Sequence, residues 1–278
     1  MTFVNDAFVP RRCTSADRMM WITPDRVFYS GLLGAPVMHT KGAIIVYVAI
    51  EAPLRVRLKG GEWQTAEVVV IQPNVPYEIT CQGRHVLDVL IEPETVDLAR
   101  LPSLLRACGT VDAPEFAAHV RSAHERLVLG AKELDLRPAD FDATFFGQPL
   151  PTRPLDPRIA AALERIKDNP CAVSAAEDCA AQAGLSCSRF LHLFKEQAGV
   201  SFRSLRTWKR ARHLLHHVGS DSRLVHVALD IGYPDSTHFS HSIRQTYGLR
   251  PKDIIAGSRK LRIISEFQSS ANTALAAN

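Results

Sequence analysis

Ser188, Leu191, His192 and Lys195 are spaced so that, on an α-helix, all four share one face. Thr237, Ser240, His241 and Arg244 repeat those steps about fifty residues later. Opposite the first set lie Phe190, Leu193, Phe194 and Gln197; opposite the second lie Phe239, Ile243 and Tyr247. In each copy one face anchors a helix. The other offers hydroxyls, an imidazole and a cation. Those groups suit a major groove, whose base edges present donors, acceptors and thymine methyls, and Leu191 suits a methyl.

The full repeat is "GLSCSRFLHLFKEQAG" at 184–199 and "GYPDSTHFSHSIRQTYG" at 232–248. Aligning Phe190 with Phe239 pairs His192 with His241, Lys195 with Arg244 and Gly199 with Gly248. One extra residue before Phe239 is what a loop absorbs. A short helix and a tight turn precede each copy, which predicts helix–turn–helix. Ser188, Arg189, Leu191 and His192 are the expected base readers in the first unit. Ser236, Thr237, Ser240, His241 and Arg244 are those in the second. Lys195, Arg203, Arg206, Lys209, Arg210 and Lys252 are expected to hold phosphates. A merely solvated helix face is the competing reading. Two copies in register and an excess of positive charge weigh against it.

That charge is local. Residues 157–262 hold 17 Lys and Arg against 9 Asp and Glu, while the rest of the chain holds 16 against 20. A basic block beside an acidic one predicts two domains, one facing a polyanion. Between them "GQPLPTRPLDP" (147–157) carries four prolines, which favour an extended linker. The expected division is 1–146, a linker at 147–157, a DNA-binding domain at 158–262 and a disordered tail at 263–278.

Past the linker there is no strand signal. Helices are expected near 157–168, 174–183, 187–198, 202–217, 223–231, 235–247 and 251–256. Ser174 and Glu177 form a capping box. Gly184, Gly199, Gly232 and Gly248 follow helices, where glycine caps are favoured. "SFRSLRTWKRARHLLHHV" (201–218) reads as a buried helix joining the two units.

Before the linker, "AIIVYVAI" (43–50), "LRVRL" (54–58), "EVVVIQP" (67–73) and "HVLDVLIE" (85–92) read as strands, and "QPNVPYE" (72–78) as a loop. Short strands between Gly and Pro turns predict a barrel or sandwich. From 94 to 130 the period turns helical. Phe116, Val120, Ala123, Leu127 and Val128 form a stripe for either its own sheet or a partner helix. Trp21, Tyr47, Trp63 and Tyr77 are candidates for an effector pocket, with ordinary core the alternative.

At this point residues 157–256 resemble the AraC/XylS family of bacterial transcription regulators. The resemblance rests on "CAAQAGLSCSRFLHLFKEQAGVSFRSL", Arg210 and "VALDIGYPDSTHFSHSIRQTYGLRPKDI". Leu205, Ile243 and Ile254–Ile255 depart from the family's usual residues. The resemblance implies a DNA-binding regulator and an N-terminal domain, often a cupin-like barrel, that senses a small molecule and dimerises. It also implies double-stranded DNA, a small-molecule effector, a second copy and RNA polymerase as partners.

The overall expectation is an α+β chain: an N-terminal cupin-like β-barrel with appended helices, then an all-α domain. Two rivals stand beside it. One is a barrel enzyme with a helical interaction module; the other is a regulator whose N-terminal domain only dimerises or binds a protein. No nucleophile elbow, P-loop or dinucleotide fingerprint occurs, and neither a metal nor a cofactor is expected. The six cysteines form no C-x-x-C pair and read mostly as buried apolar residues. With no spanning apolar run and no signal-like N-terminus, a cytoplasmic protein is expected.

Overall fold

A computed structural model of the chain describes residues 17–130, 137, 139–169, 176–217, 224–258 and 261–265. Cys13, Cys171, the start of the expected capping box at Ser174 and the tail from 268 lie outside the described residues.

Among the described residues ten strands form two sheets. They are β1 (Met19–Ile22), β2 (Arg26–Leu32), β3 (Ile44–Ala49), β4 (Leu54–Leu58), β5 (Gln64–Ala66), β6 (Val68–Ile71), β7 (Tyr77–Cys81), β8 (His85–Ile91), β9 (Gly109–Val111) and β10 (Arg262–Ser265). The larger sheet runs β10-β1-β2-β8-β3-β6-β9, and the smaller runs β5-β4-β7. The barrel expectation is therefore corrected. β4 pairs only with β5 and β7, so among the described residues the two sheets face each other without closing.

β3 shows why these residues form strands. Ile44, Val46 and Val48 enter one core, while Ile45, Tyr47 and Ala49 enter another. This strand is buried on both faces, so its sequence is apolar throughout rather than alternating with polar residues. The first core lies under α1 (Ser103–Arg106), α2 (Pro114–Leu129) and α3 (Asp140–Phe146). There Val120, Ala123 and Leu127 of α2 are buried against the sheet, so the helical stripe covers its own domain. The second core fills the gap between the sheets.

Two local expectations fail. The helical reading of 94–108 shrinks to a short turn at Pro93–Thr95 and α1, because Pro93 and Pro102 each restart the backbone. The expected loop at 72–78 ends in β7, where Tyr77 pairs with Leu58.

The C-terminal part is helical: α4 (Pro157–Asp168), α5 (Ala176–Gln182), α6 (Cys187–Ala198), α7 (Phe202–Arg212), α8 (Leu224–Asp230), α9 (Ser236–Tyr247) and α10 (Pro251–Ser258). The chain then returns to the larger sheet as β10, parallel to β1. A strand there contradicts both the all-helical expectation after the linker and the disordered tail at 263–265. The linker is anchored as well. Leu150 is buried in the first core and the Pro151 carbonyl accepts from the Asp97 amide at 2.7 Å.

Candidate nucleic-acid interface

α5 and α6 form one helix–turn–helix, α8 and α9 the other. Ser186 caps α6, its side chain accepting from the Arg189 amide. Asp235 caps α9, accepting from the amides of Thr237 at 2.8 Å and His238 at 2.9 Å. α6 and α9 stop at Gly199 (φ 75°) and Gly248 (φ 69°), in the left-handed region where a side chain is strained.

Each unit has its own core. Phe190 and Phe194 of α6 are buried against Phe202, with ring centroids 5.6 and 5.2 Å apart. Phe239 and Ile243 of α9 are buried with Val227, Ala228, Ile231 and Tyr233. α7 serves both, giving Phe202 and Leu205 to the first core and Ala211 to the second. A single helix thereby fixes the spacing of the two units.

The expected base readers are all on the surface. Ser188, Arg189, Leu191 and His192 are exposed on α6, as are Ser236, Thr237, Ser240, His241 and Arg244 on α9. Leu191 is 38% exposed, one of the few large apolar side chains left in water. Lys195, Arg203 and Lys252 are exposed too. Arg206 is half-buried over the Phe202 ring, and Arg210 over the Tyr233 ring.

Lys209 is the exception: in this arrangement it is turned away from solvent. It is 8% exposed and faces the N-terminal domain, with Nζ 3.1 Å from Glu92 Oε2 and 2.5 Å from Glu94 Oε1. Arg212 Nε lies 2.7 Å from Glu92 Oε1, and Trp208 Nε1 donates to Glu92 Oε2 at 2.8 Å. Arg212 also donates to the carbonyls of Thr23 and Arg26. Burial opposes the charge on Lys209, but Glu92 and Glu94 outweigh it and hold the ammonium above its usual range. Around this ionic clasp Trp208 and Leu215 pack with Met20, Ile22, Val27, Ala43 and Leu90. Glu92 and Trp208 stand far apart in sequence, which is why no local pattern reveals the clasp.

Beside the clasp lies a cavity of about 510 Å³. Met20, Tyr29, Lys41, Tyr47 and Leu90 line it from the sheets, and Leu215, Tyr247, Leu249 and Ile254 from the helical part. Lys41 Nζ donates to Tyr47 Oη at 3.0 Å and lies 3.9 Å from Asp88. Tyr47 and Tyr77 hydroxyls are 2.6 Å apart. Burial raises the Asp88 carboxyl, although Lys41 pulls it back. Arg18 and Arg84 add positive charge to the wall, and Arg18 Nε is buried with no hydrogen-bond partner among the described residues.

Of the four expected pocket residues, Tyr47 lines this cavity and Tyr77 stands behind it. Trp21 points into the opposite core against Phe141 and Phe145. Trp63 lies on the smaller sheet beside Arg55 and Arg57. Neither belongs to the cavity. The alternation along a strand explains Trp21, since its neighbour Met20 takes the cavity side.

His39 also borders the cavity. Burial, helped by Lys41, lowers its pKa from 6.5 to about 4. The unfolded chain therefore takes up this proton first as pH falls. Stability from this group is complete above about pH 6.5, falls on acidification and levels off near pH 4. The expected loss is on the order of 3 kcal/mol. Urea melts of the wild type and His39→Asn across that range check it, the variant having the shallower dependence.

Comparison with known proteins bears on these elements. A family model described as a helix-turn-helix domain matches residues 179–256, spanning both units. The HTH-type transcriptional activator RhaS of Klebsiella pneumoniae is 36% identical over 85 residues, which is 29% of this chain and 30% of RhaS. RhaS of Escherichia fergusonii is 44% identical over 48 residues, 17% of this chain and 16% of that protein. The chain thus spans less than a third of the curated relatives it matches. Across both domains the fold resembles ToxT of Vibrio cholerae, at 10% identity, 84% of this chain, 98% of that chain and a TM-score of 0.52. ToxT bound to (E)-4-(8-methylnaphthalen-1-yl)but-3-enoic acid gives a TM-score of 0.55 at 11% identity, covering 84% and 99%. Residues 179–256 of this chain thus match a helix-turn-helix domain and are similar to part of the RhaS transcriptional activators.

Proposed function

We propose that this chain is a sequence-specific, double-stranded DNA-binding transcription regulator of the AraC/XylS type. One observation carries the reading: two helices in register, α6 and α9, each bury an apolar face and leave the same hydroxyl, imidazole and cation pattern exposed. In this reading α6 and α9 enter successive major grooves, about 34 Å apart, and read bases through the residues named above. Lys195, Arg203, Arg206, Arg210 and Lys252 face the backbone. No catalytic step is assigned. The regulator acts in the cytoplasm beside its DNA, as a homodimer that works with RNA polymerase.

The effector site is the cavity between the sheets and the second unit. Its apolar walls and its cations suit a small molecule with an apolar body and an acidic group. The compound bound to ToxT has that character. An occupant would act by population shift, favouring one placement of the second unit over another. Stabilisation of the full chain by small apolar acids, measured as a shift in melting temperature, tests the site. A shift that persists in Lys41→Met would place the ligand elsewhere.

Selection of bound duplexes from a random pool by the full chain tests the main reading. It should return two short motifs about one helical turn apart. Recovery of random sequence would sink direct readout. With the selected duplex, His192→Ala and His241→Ala should each relax preference by about 1–3 kcal/mol at separate positions. Lys195→Ala should weaken all sequences alike and lower the salt slope by about 1.

A further inference from the structure

β10 sits on the edge of the larger sheet, immediately after the second helix–turn–helix unit and α10. It pairs in parallel with β1, Met19 opposite Arg262 through Ile22 opposite Ser265, and the Arg262 amide donates to the Arg18 carbonyl at 3.1 Å. Arg262 then reaches the end of α2. It donates to the carbonyls of Leu127 at 2.5 Å and Val128 at 3.4 Å, the partially negative end of that helix. Leu261 and Ile263 pack on the cluster around Trp208, while Ile264 packs on the core of the N-terminal domain.

The helical part is thus tied to the sheet on two sides, through α7 and through the strand that follows α10. One tie is the clasp of Lys209 and Arg212 on Glu92 and Glu94; the other is β10. The ties differ in strength. The clasp is fully buried at Glu92, whereas β10 is four residues long, half-buried throughout and paired on one edge. Elements of that kind open at low cost. Leu261 also lines the cavity, so an occupant would touch the weaker tie directly.

We propose that β10 is an autoinhibitory latch: by fastening the helical part to the N-terminal sheet it keeps Lys209 and Arg212 on Glu92 and Glu94, and so withholds two cations from DNA. This rests on the DNA-binding reading above. Charge fixes its direction. The latch holds the basic domain against the part of the chain with the acidic excess, 20 Asp and Glu against 16 Lys and Arg outside 157–262. Carboxylates held there compete with phosphates for the same cations. Release lets Lys209 and Arg212 join the counterion-releasing contacts.

The test compares the full chain, a chain ending at Ser258 and the pair Met20→Cys/Ile263→Cys, whose positions face each other across β1 and β10. The probe is the duplex selected from a random pool, titrated across salt. The shortened chain should bind more tightly, with a slope of log affinity on log salt steeper by roughly 0.9 for each cation freed. A merely structural strand would not steepen that slope. Oxidation of the cysteine pair should weaken binding on the order of tenfold relative to its own reduced form, by removing the open population, while neither single-cysteine variant responds to the oxidant. An unaltered slope on shortening, or equal binding by oxidised and reduced forms, overturns the latch. If shortening prevents folding, the cysteine pair decides alone. Failure of every form to select DNA overturns the DNA-binding reading and the latch with it. Selection only by the shortened chain supports both.

Discussion

Glu92→Ala is expected to lower the unfolding free energy of the full chain by about 3–5 kcal/mol, the cost of removing one partner from a buried ion pair. Glu92 is 0% exposed and receives Lys209, Arg212 and the Trp208 indole at 2.7–3.1 Å. Without it Arg212 loses its carboxylate, the Trp208 N–H loses its acceptor, and Lys209 keeps only Glu94. None of these can turn to water without separating the domains. Urea denaturation followed by circular dichroism measures the loss. Glu78→Ala is the contrast. Its partner Arg57 is more than a third exposed, so removing that pair should cost no more than about 1 kcal/mol. Equal costs for the two changes would mean that water already reaches the clasp.

Phe190→Ala is expected to cost a similar amount, about 3–5 kcal/mol, for a different reason. The ring is fully buried between Phe194 and Phe202, with centroids 5.8 and 5.6 Å away. Its removal leaves a cavity where α6 meets α7, so the first unit loses the support that holds its outer face. Leu191→Ala, one position along the same helix, removes an exposed side chain and should alter stability by no more than about 0.5 kcal/mol. Leu191→Ala should instead change base preference. Thermal melts and DNA selection on both variants separate anchoring from reading. A small stability loss in Phe190→Ala would show that the aromatic cluster is loosely packed.

Much of the helical half could be read from sequence because its signals are local. The turns, the glycine stops and the three- and four-residue spacing of Phe190, Leu193 and Phe194 all lie within one supersecondary unit, and α4 and α6 span the expected residues. The N-terminal half depends on pairings between distant strands. "AIIVYVAI" announces a strand, but whether strands close into a barrel is decided by hydrogen bonds that β4 makes to β5 and β7 and withholds from the larger sheet. Lys209 illustrates the same limit. On a helix rich in Lys and Arg it looks like its solvent-facing neighbours, and only the arrival of β8 brings Glu92 to it. β10 is four residues after a helix end, too short for a period to show.

The cavity takes its far wall from Tyr247, Leu249 and Ile254, all in or just after the second unit, and none from α5 or α6. On the DNA-binding reading proposed above, a compound seated there would grip half of a two-part reading head. Operators with a strong match to α6 would tolerate its presence or absence, whereas those leaning on α9 would swing widely. One chemical signal could then be graded from promoter to promoter by DNA sequence alone.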